Sequence, residues 1–201
     1  MGIRFKKIAN LGFTFFVILA ITIIYGCSPA NILAGGGATT MVVAEGDRSL
    51  GSVVDDATIK INISAKFINA GQNLFVDINT TVLEGRVLLT GLIDNQENRI
   101  EAVRLVWEVE GVKEVVNEIQ IGNRASLKNY ANDLWINTQA RAQAAKALGL
   151  RAIAFNFETI EGKVYVAGIT SKPEHIEVMI DAIKKIKGVK EIVNYVIIKS
   201  D

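Results

Sequence analysis

The chain has 201 residues, half of them hydrophobic and 21% charged, with a formal net charge of +1 and a mean hydropathy of +0.30. That composition excludes a chain disordered throughout and points to globular domains. With one histidine and one cysteine in the whole sequence, a paired-imidazole metal site and an internal disulfide are excluded as well.

The first segment places Arg4, Lys6 and Lys7 ahead of an uncharged apolar run from Leu11 to Ile24 that ends at Gly26 and Cys27. This is the order of a secretory signal peptide over residues 1–26. The run is shorter than the roughly 20 residues that a helix needs to span a bilayer, which weighs against a permanent transmembrane anchor. Ile24, Tyr25, Gly26 and Cys27 resemble a bacterial lipobox, although Tyr25 stands where a small or hydroxylated residue is usual. The resemblance implies a lipidated Cys27 and, with Ser28 rather than aspartate next, a place in the outer membrane on its periplasmic face. Residues 27–51 then read as the lipidated cysteine and a tether, with Gly35, Gly36 and Gly37 in a row. That glycine run lacks the lysine and hydroxyl of a phosphate-binding loop.

Beyond the tether the sequence repeats. Glu84, Gly85, Arg86, Val87 and Gly91 return as Glu161, Gly162, Lys163, Val164 and Gly168, and Gly111 to Asn117 return as Gly188 to Asn194. Every pair is offset by 77 positions without an indel, which marks a duplication. The expected modules are 52–122 and 133–201, joined by a linker over 123–132.

Each copy reads as helix, strand, strand, helix, strand. In the first, Val54 to Ala70 is helical. Val76, Ile78 and Thr80 alternate with polar partners, as do Val87, Leu89 and Gly91, so the two runs form a hairpin. Asp94 with Glu97, and Ser171 with Glu174, suggest capping boxes that start the second helices, where Pro173 is tolerated. Ala102, Val103, Val106 and Val109 make one apolar face, matched by Met179, Ile180, Ile183 and Ile186. Gly111 and Gly188 end those helices, and the crossover to the last strand favours parallel pairing. The predicted fold is α+β: two tandem modules, each a small mixed sheet with two helices on one face.

The repeated glycines and the Gly-Val-Lys-Glu pattern make both copies resemble BON domains, and Asp47 to Asp56 is similar to the start of dual-BON outer-membrane lipoproteins. The resemblance covers nearly the whole chain after Cys27. It implies binding of anionic phospholipid, support of outer-membrane integrity, no enzymatic activity and no cofactor. Gly91 and Gly168 are expected to be structural, placed where backbone approaches closely.

No catalytic constellation is legible. His175, in the first turn of a helix and without supporting groups, reads as a solvated surface residue. Charge is more informative. Without residues 1–26 the chain has 19 basic and 21 acidic residues, net −2. Ser52 to Gly122 holds 11 acidic and 6 basic residues, net −5, whereas Asp133 to Asp201 holds 8 and 10, net +2. The second copy is the one suited to an anionic surface. Its first helix opens with Leu134 and Trp135, followed by Arg141, Lys146 and, just beyond, Arg151, where the first copy has Ala57 and Thr58. An indole beside basic side chains suits a bilayer interface. The resemblance likewise implies lipid contact for Trp135 and Arg141, while Gln139 and Ala145 stand where basic and large apolar residues are expected.

Leu134, Trp135, Arg141 and Lys146 are therefore the candidate phospholipid-binding residues. Two alternatives stay open: Trp135 filling a gap between the modules, and the protein acting as an adaptor for an envelope assembly factor or the cell wall. Trp107 is expected to pack against the other module. Nucleic acid is a poor candidate partner for a slightly acidic exported chain.

Overall fold

The computed structural model describes residues 49–122 and 127–199. Cys27, the apolar run before it and the expected tether up to residue 48 lie outside the described residues. The chain builds α1 (Leu50–Ala70), α2 (Gln72–Asp77), β1 (Ile78–Leu83), β2 (Arg86–Ile93), α3 (Gln96–Trp107) and β3 (Glu114–Ile121). It then repeats them as α4 (Leu127–Leu148), a 3-10 turn (Gly149–Ala154), β4 (Phe155–Ile160), β5 (Lys163–Thr170), α5 (Pro173–Ile183) and β6 (Glu191–Ile198).

In each sheet the middle strand pairs antiparallel with its hairpin partner and parallel with the last strand, in orders β1-β2-β3 and β4-β5-β6. The hairpins turn through Glu84-Gly85 and Glu161-Gly162, whose φ values of 54° and 82°, then 51° and 82°, suit a two-residue turn with both central residues left-handed. On one face of the first sheet α1 contributes Ile59, Ile63 and Phe67, and α3 contributes Ala102, Leu105 and Val106. These pack on Val87, Leu89 and Ile119. The second core repeats this with Ile136, Ala140 and Ala144 of α4, Met179 and Ile183 of α5, and Val164 and Val166 of β5. The α+β sandwich with both helices on one face is thus present twice.

Three local expectations are corrected. Val76 is 67% exposed and lies in α2, not in a strand. The 3-10 turn occupies the same place 77 residues later, so both copies insert a short helical turn before the hairpin. Asp94 does not cap α3: Asn95 is the N-cap, its Oδ1 accepting from Asn98 N at 2.8 Å. In the second copy Lys172 is the N-cap, without a side-chain bond, while Thr170 Oγ1 accepts from Lys172 N at 3.1 Å. Both predicted boxes fail because the strand runs into the helix through a neighbouring polar residue. Finally, α4 starts at Leu127, inside the segment expected to be a linker.

The modules meet through the sheet faces that carry no helix. Leu83 and Leu88 cluster with Ala167, Ile169 and Ile197, and Leu92 clusters with Ile160 and Tyr165. Leu83 corresponds to Ile160 and Leu92 to Ile169 by the repeat offset, so the contact is isologous, the same patch used by both partners. Glu118 accepts a short hydrogen bond from its own counterpart, Tyr195. Gln120 Nε2 donates to Tyr165 Oη at 3.0 Å, Asn79 Nδ2 to Glu158 Oε2 at 3.1 Å, and Lys199 Nζ to Glu84 Oε1 at 2.7 Å. The resulting order of layers is helices, sheet, sheet, helices.

Burial raises the phenol pKa of Tyr165, and burial together with the Glu118 carboxylate raises that of Tyr195. Both phenols ionise at higher pH in the folded protein than in the unfolded chain, where tyrosine ionises near pH 10. Their contribution is therefore complete below pH 10 and is lost as pH rises above it, at up to about 1.4 kcal/mol per pH unit for each phenol. Urea unfolding at pH 9 and pH 11 is expected to show the loss, and Tyr195→Phe with Tyr165→Phe to remove most of it. An equal loss in the double variant would assign it elsewhere.

Candidate functional site

A carboxylate in the second turn of each first helix, Asp56 buried and Asp133 half-buried, fixes where that helix lies on its sheet. Asp56, 5% exposed, accepts from Glu84 N at 2.7 Å and Gly85 N at 2.8 Å, and Asp133 accepts from Glu161 N and Gly162 N at the same distances. The turn glycine's carbonyl then accepts from the next loop, Lys113 N to Gly85 O at 2.9 Å and Lys190 N to Gly162 O at 2.8 Å. This explains why Glu-Gly and Gly-Val-Lys recur together. The aspartates were legible only as aligned residues, since nothing in composition marks a carboxylate as a turn clamp. Gly91 and Gly168 face backbone rather than a helix side chain: a Cβ at Gly91 would lie 2.2 Å from Asp77 O, and one at Gly168 2.6 Å from Ala154 O.

Held in this way, α4 turns its Ile136 face to the core and leaves an outward face about 100° wide, bounded by the adjacent residues Leu134 and Trp135. Between these edges lie Ala131, Thr138, Ala142 and Ala145, all exposed. Leu134 is 56% and Trp135 46% exposed. A cation stands just outside each edge, Arg141 beside Leu134 and Lys146 beside Trp135. Arg141 Nη2 donates to Phe157 O at 3.2 Å on the edge strand β4, which ties part of its guanidinium to its own module.

Trp135 and Lys146 share a cleft of about 440 Å³ with Gln139, Gln143, Lys185 and Lys187. Leu134 instead lines a cavity of about 260 Å³ with Tyr130, Asn137 and Leu92. The four candidates therefore divide between the two flanks of one helix. Lys185 and Lys187, in the turn that follows α5, escaped the sequence reading. Their signal was present in the repeat, because the first copy has Glu108 and Glu110 at the same positions. There the ground is acidic, and Glu108 is held by Lys66 at 2.7 Å and by Arg104. Those two cations keep the Glu108 carboxyl below the usual carboxylate range, the Lys66 hydrogen bond most of all.

Three further residues are placed as follows. Trp107 is 53% exposed at the end of α3, on the outer layer, while the modules join through their sheets; it does not pack against the other module. Trp135 is on the outer layer for the same reason. His175 is half-buried rather than solvated, with Nδ1 3.2 Å from Thr170 Oγ1 and Nε2 3.3 Å from Arg151 Nη1. Among the described residues no group of three or more His, Cys, Asp or Glu is placed to hold a metal ion, and no helix is long and apolar enough to cross a membrane.

A duplicated α+β module with two helices on the outer face of each mixed sheet defines a class of paired α+β modules. The chain belongs to the BON domain family, whose pattern matches residues 55–123 and 132–200. It is 30% identical to the "Outer membrane lipoprotein DolP" of Haemophilus influenzae over 88% of this chain and 91% of that protein. An "Uncharacterized protein in gshII 5'region" of Anaplasma centrale is 37% identical over 73% of this chain and 96% of its own. The "Osmotically-inducible protein Y" of Escherichia coli is 24% identical over 72% and 73%.

Proposed function

We propose that the protein is a non-enzymatic outer-membrane lipoprotein, anchored through Cys27 at the periplasmic face, whose second BON domain binds anionic phospholipid and helps to maintain the envelope. The lipobox-like sequence at Cys27 and the similarity to an outer membrane lipoprotein over most of both chains support the location. The observation that carries the binding is the outward face of α4, where Trp135 and Leu134 bound a strip of small residues and a cation flanks each edge. A helix of that form can lie in the interface with its small face toward the acyl boundary, its indole at head-group level and its long cations reaching the phosphates.

The test is vesicle binding by residues 28–201. Trp135→Ala is expected to weaken binding to anionic vesicles with little change in its salt dependence, because insertion of an indole is not screened. Arg141→Gln is expected to weaken it slightly and mostly at low salt, since a Debye length of roughly 10 Å at 0.1 M screens exposed charge. Parent-like binding by Trp135→Ala would remove the tryptophan from the site.

One observation favours the adaptor reading for the first module. Val54, Ile61 and Ile68, 49%, 67% and 52% exposed, form an apolar stripe along α1, a surface suited to a protein partner such as an envelope assembly factor. Cross-linking from Ile61 in the envelope tests it, and a stripe that captures no protein would leave lipid binding as the whole function.

A further inference from the structure

The cleft between α4 and the end of α5 lies beside the outward face of α4, and three of its lining residues are Lys146, Lys185 and Lys187. Among the described residues no carboxylate lines it. Among the described residues none of the three lysines is paired with an acid, whereas the adjacent Lys184 is, with Asp181 at 3.6 Å. The duplication supplies an internal comparison. At the positions of Lys185 and Lys187 the first module carries Glu108 and Glu110, at that of Trp135 it carries Thr58, and at that of Gln143 it carries Lys66, which closes on Glu108. Two copies of one fold thus hold opposite charge at the same turn. In the first, Glu108 is closed by Lys66 and Arg104, whereas the lysines of the second are left open beside an exposed indole.

We infer that this cleft is a head-group clamp: Lys146, Lys185 and Lys187 together hold the phosphodiester of one anionic phospholipid, with Gln139 and Gln143 as further donors, while the Trp135 indole lies at head-group level beside it. The clamp rests on the reading under Proposed function and adds a defined phosphate site built from α4 and the turn after α5. The partner is a lipid surface rather than a soluble phosphate, because the indole that borders the cleft has no role toward a free anion. Ammonium groups converging on one phosphate give charge-assisted hydrogen bonds as well as general attraction, so their removal costs more than removal of equal charge elsewhere.

The experiment measures binding of residues 28–201 to phosphatidylglycerol vesicles at 0.1 M salt. Lys185→Gln with Lys187→Gln is expected to bind about 30-fold more weakly, as two lysines at about 1 kcal/mol each imply. Lys184→Gln with Lys190→Gln, which removes the same charge from the same module, is expected to change binding less than about 3-fold. Thermal melts verify that both variants fold. Equal loss in the two variants would overturn the clamp in favour of diffuse attraction. No loss in the first while Trp135→Ala weakens binding would overturn it and leave the functional reading standing, and a parent that ignores anionic vesicles would sink both. Inorganic phosphate, at constant ionic strength, is expected not to displace the protein; displacement would assign the cleft to a soluble anion and overturn the lipid assignment.

Discussion

Gly91→Val is expected to be among the most destabilising single changes in the molecule, at the top of the ~1–3 kcal/mol typical of overpacking or beyond it. The added Cβ would sit 2.2 Å from the carbonyl oxygen of Asp77 and 3.1 Å from the Cα of Ile78, both backbone atoms that cannot swing aside. Gly91 also has φ near +151°, a conformation that side chains other than glycine rarely adopt, so strain adds to the clash. Gly168 offers a graded comparison. Its Cβ would meet Ala154 O at 2.6 Å and the Phe155 ring at the same distance, without a positive φ. Urea unfolding should rank Gly91→Ala above Gly168→Ala in cost, with each valine above its alanine. Gly91→Ala as stable as the parent would show that β1 and the end of α2 can move away.

Asp56→Ala is expected to cost about 3 kcal/mol. Its carboxylate takes two backbone N–H groups at 2.7 and 2.8 Å, each a hydrogen bond to a charged group worth about 1.5–3 kcal/mol, and truncation leaves both donors without an acceptor. Asp133→Ala should cost less, because Asp133 is half-buried and water can reach the freed donors. Chemical denaturation decides both. A loss below about 1 kcal/mol for Asp56→Ala would mean that the turn keeps its shape without the clamp.

The repeat made most of the architecture legible. A pattern seen twice at one offset gave helix, hairpin and parallel last strand, because apolar periodicity and turn chemistry agree locally with the fold. Its misses are instructive. Apolar alternation was read along Val87, Leu89 and Gly91, yet Leu88 between them and Leu92 just beyond are buried too, and Tyr165, Ala167 and Ile169 repeat the pattern. Strands apolar on both sides signal a sheet covered on both faces, which would have announced the sheet-to-sheet contact and placed Trp107 outside it. Val76 misled because one β-branched residue two before Ile78 fits a strand as well as an exposed helical turn. The candidate site was half legible: Trp135 and Lys146 stand out on one helix, but Lys185 and Lys187 come from the turn after α5, and only packing brings that turn against α4. The sheet contact also bears on how binding is measured. A module cut free would expose Leu88 and Leu92, or Tyr165 and Ile169, so the intact pair is the proper sample.

The central claim is that this pair of modules recognises an anionic phospholipid surface. Its most direct test is co-sedimentation of residues 28–201, with no lipid attached, on vesicles of phosphatidylcholine alone and with phosphatidylglycerol added. Binding that appears with the anionic lipid and weakens in Trp135→Ala is the predicted result. Equal partition to both vesicles, or to neither, with a normally folded protein would contradict it.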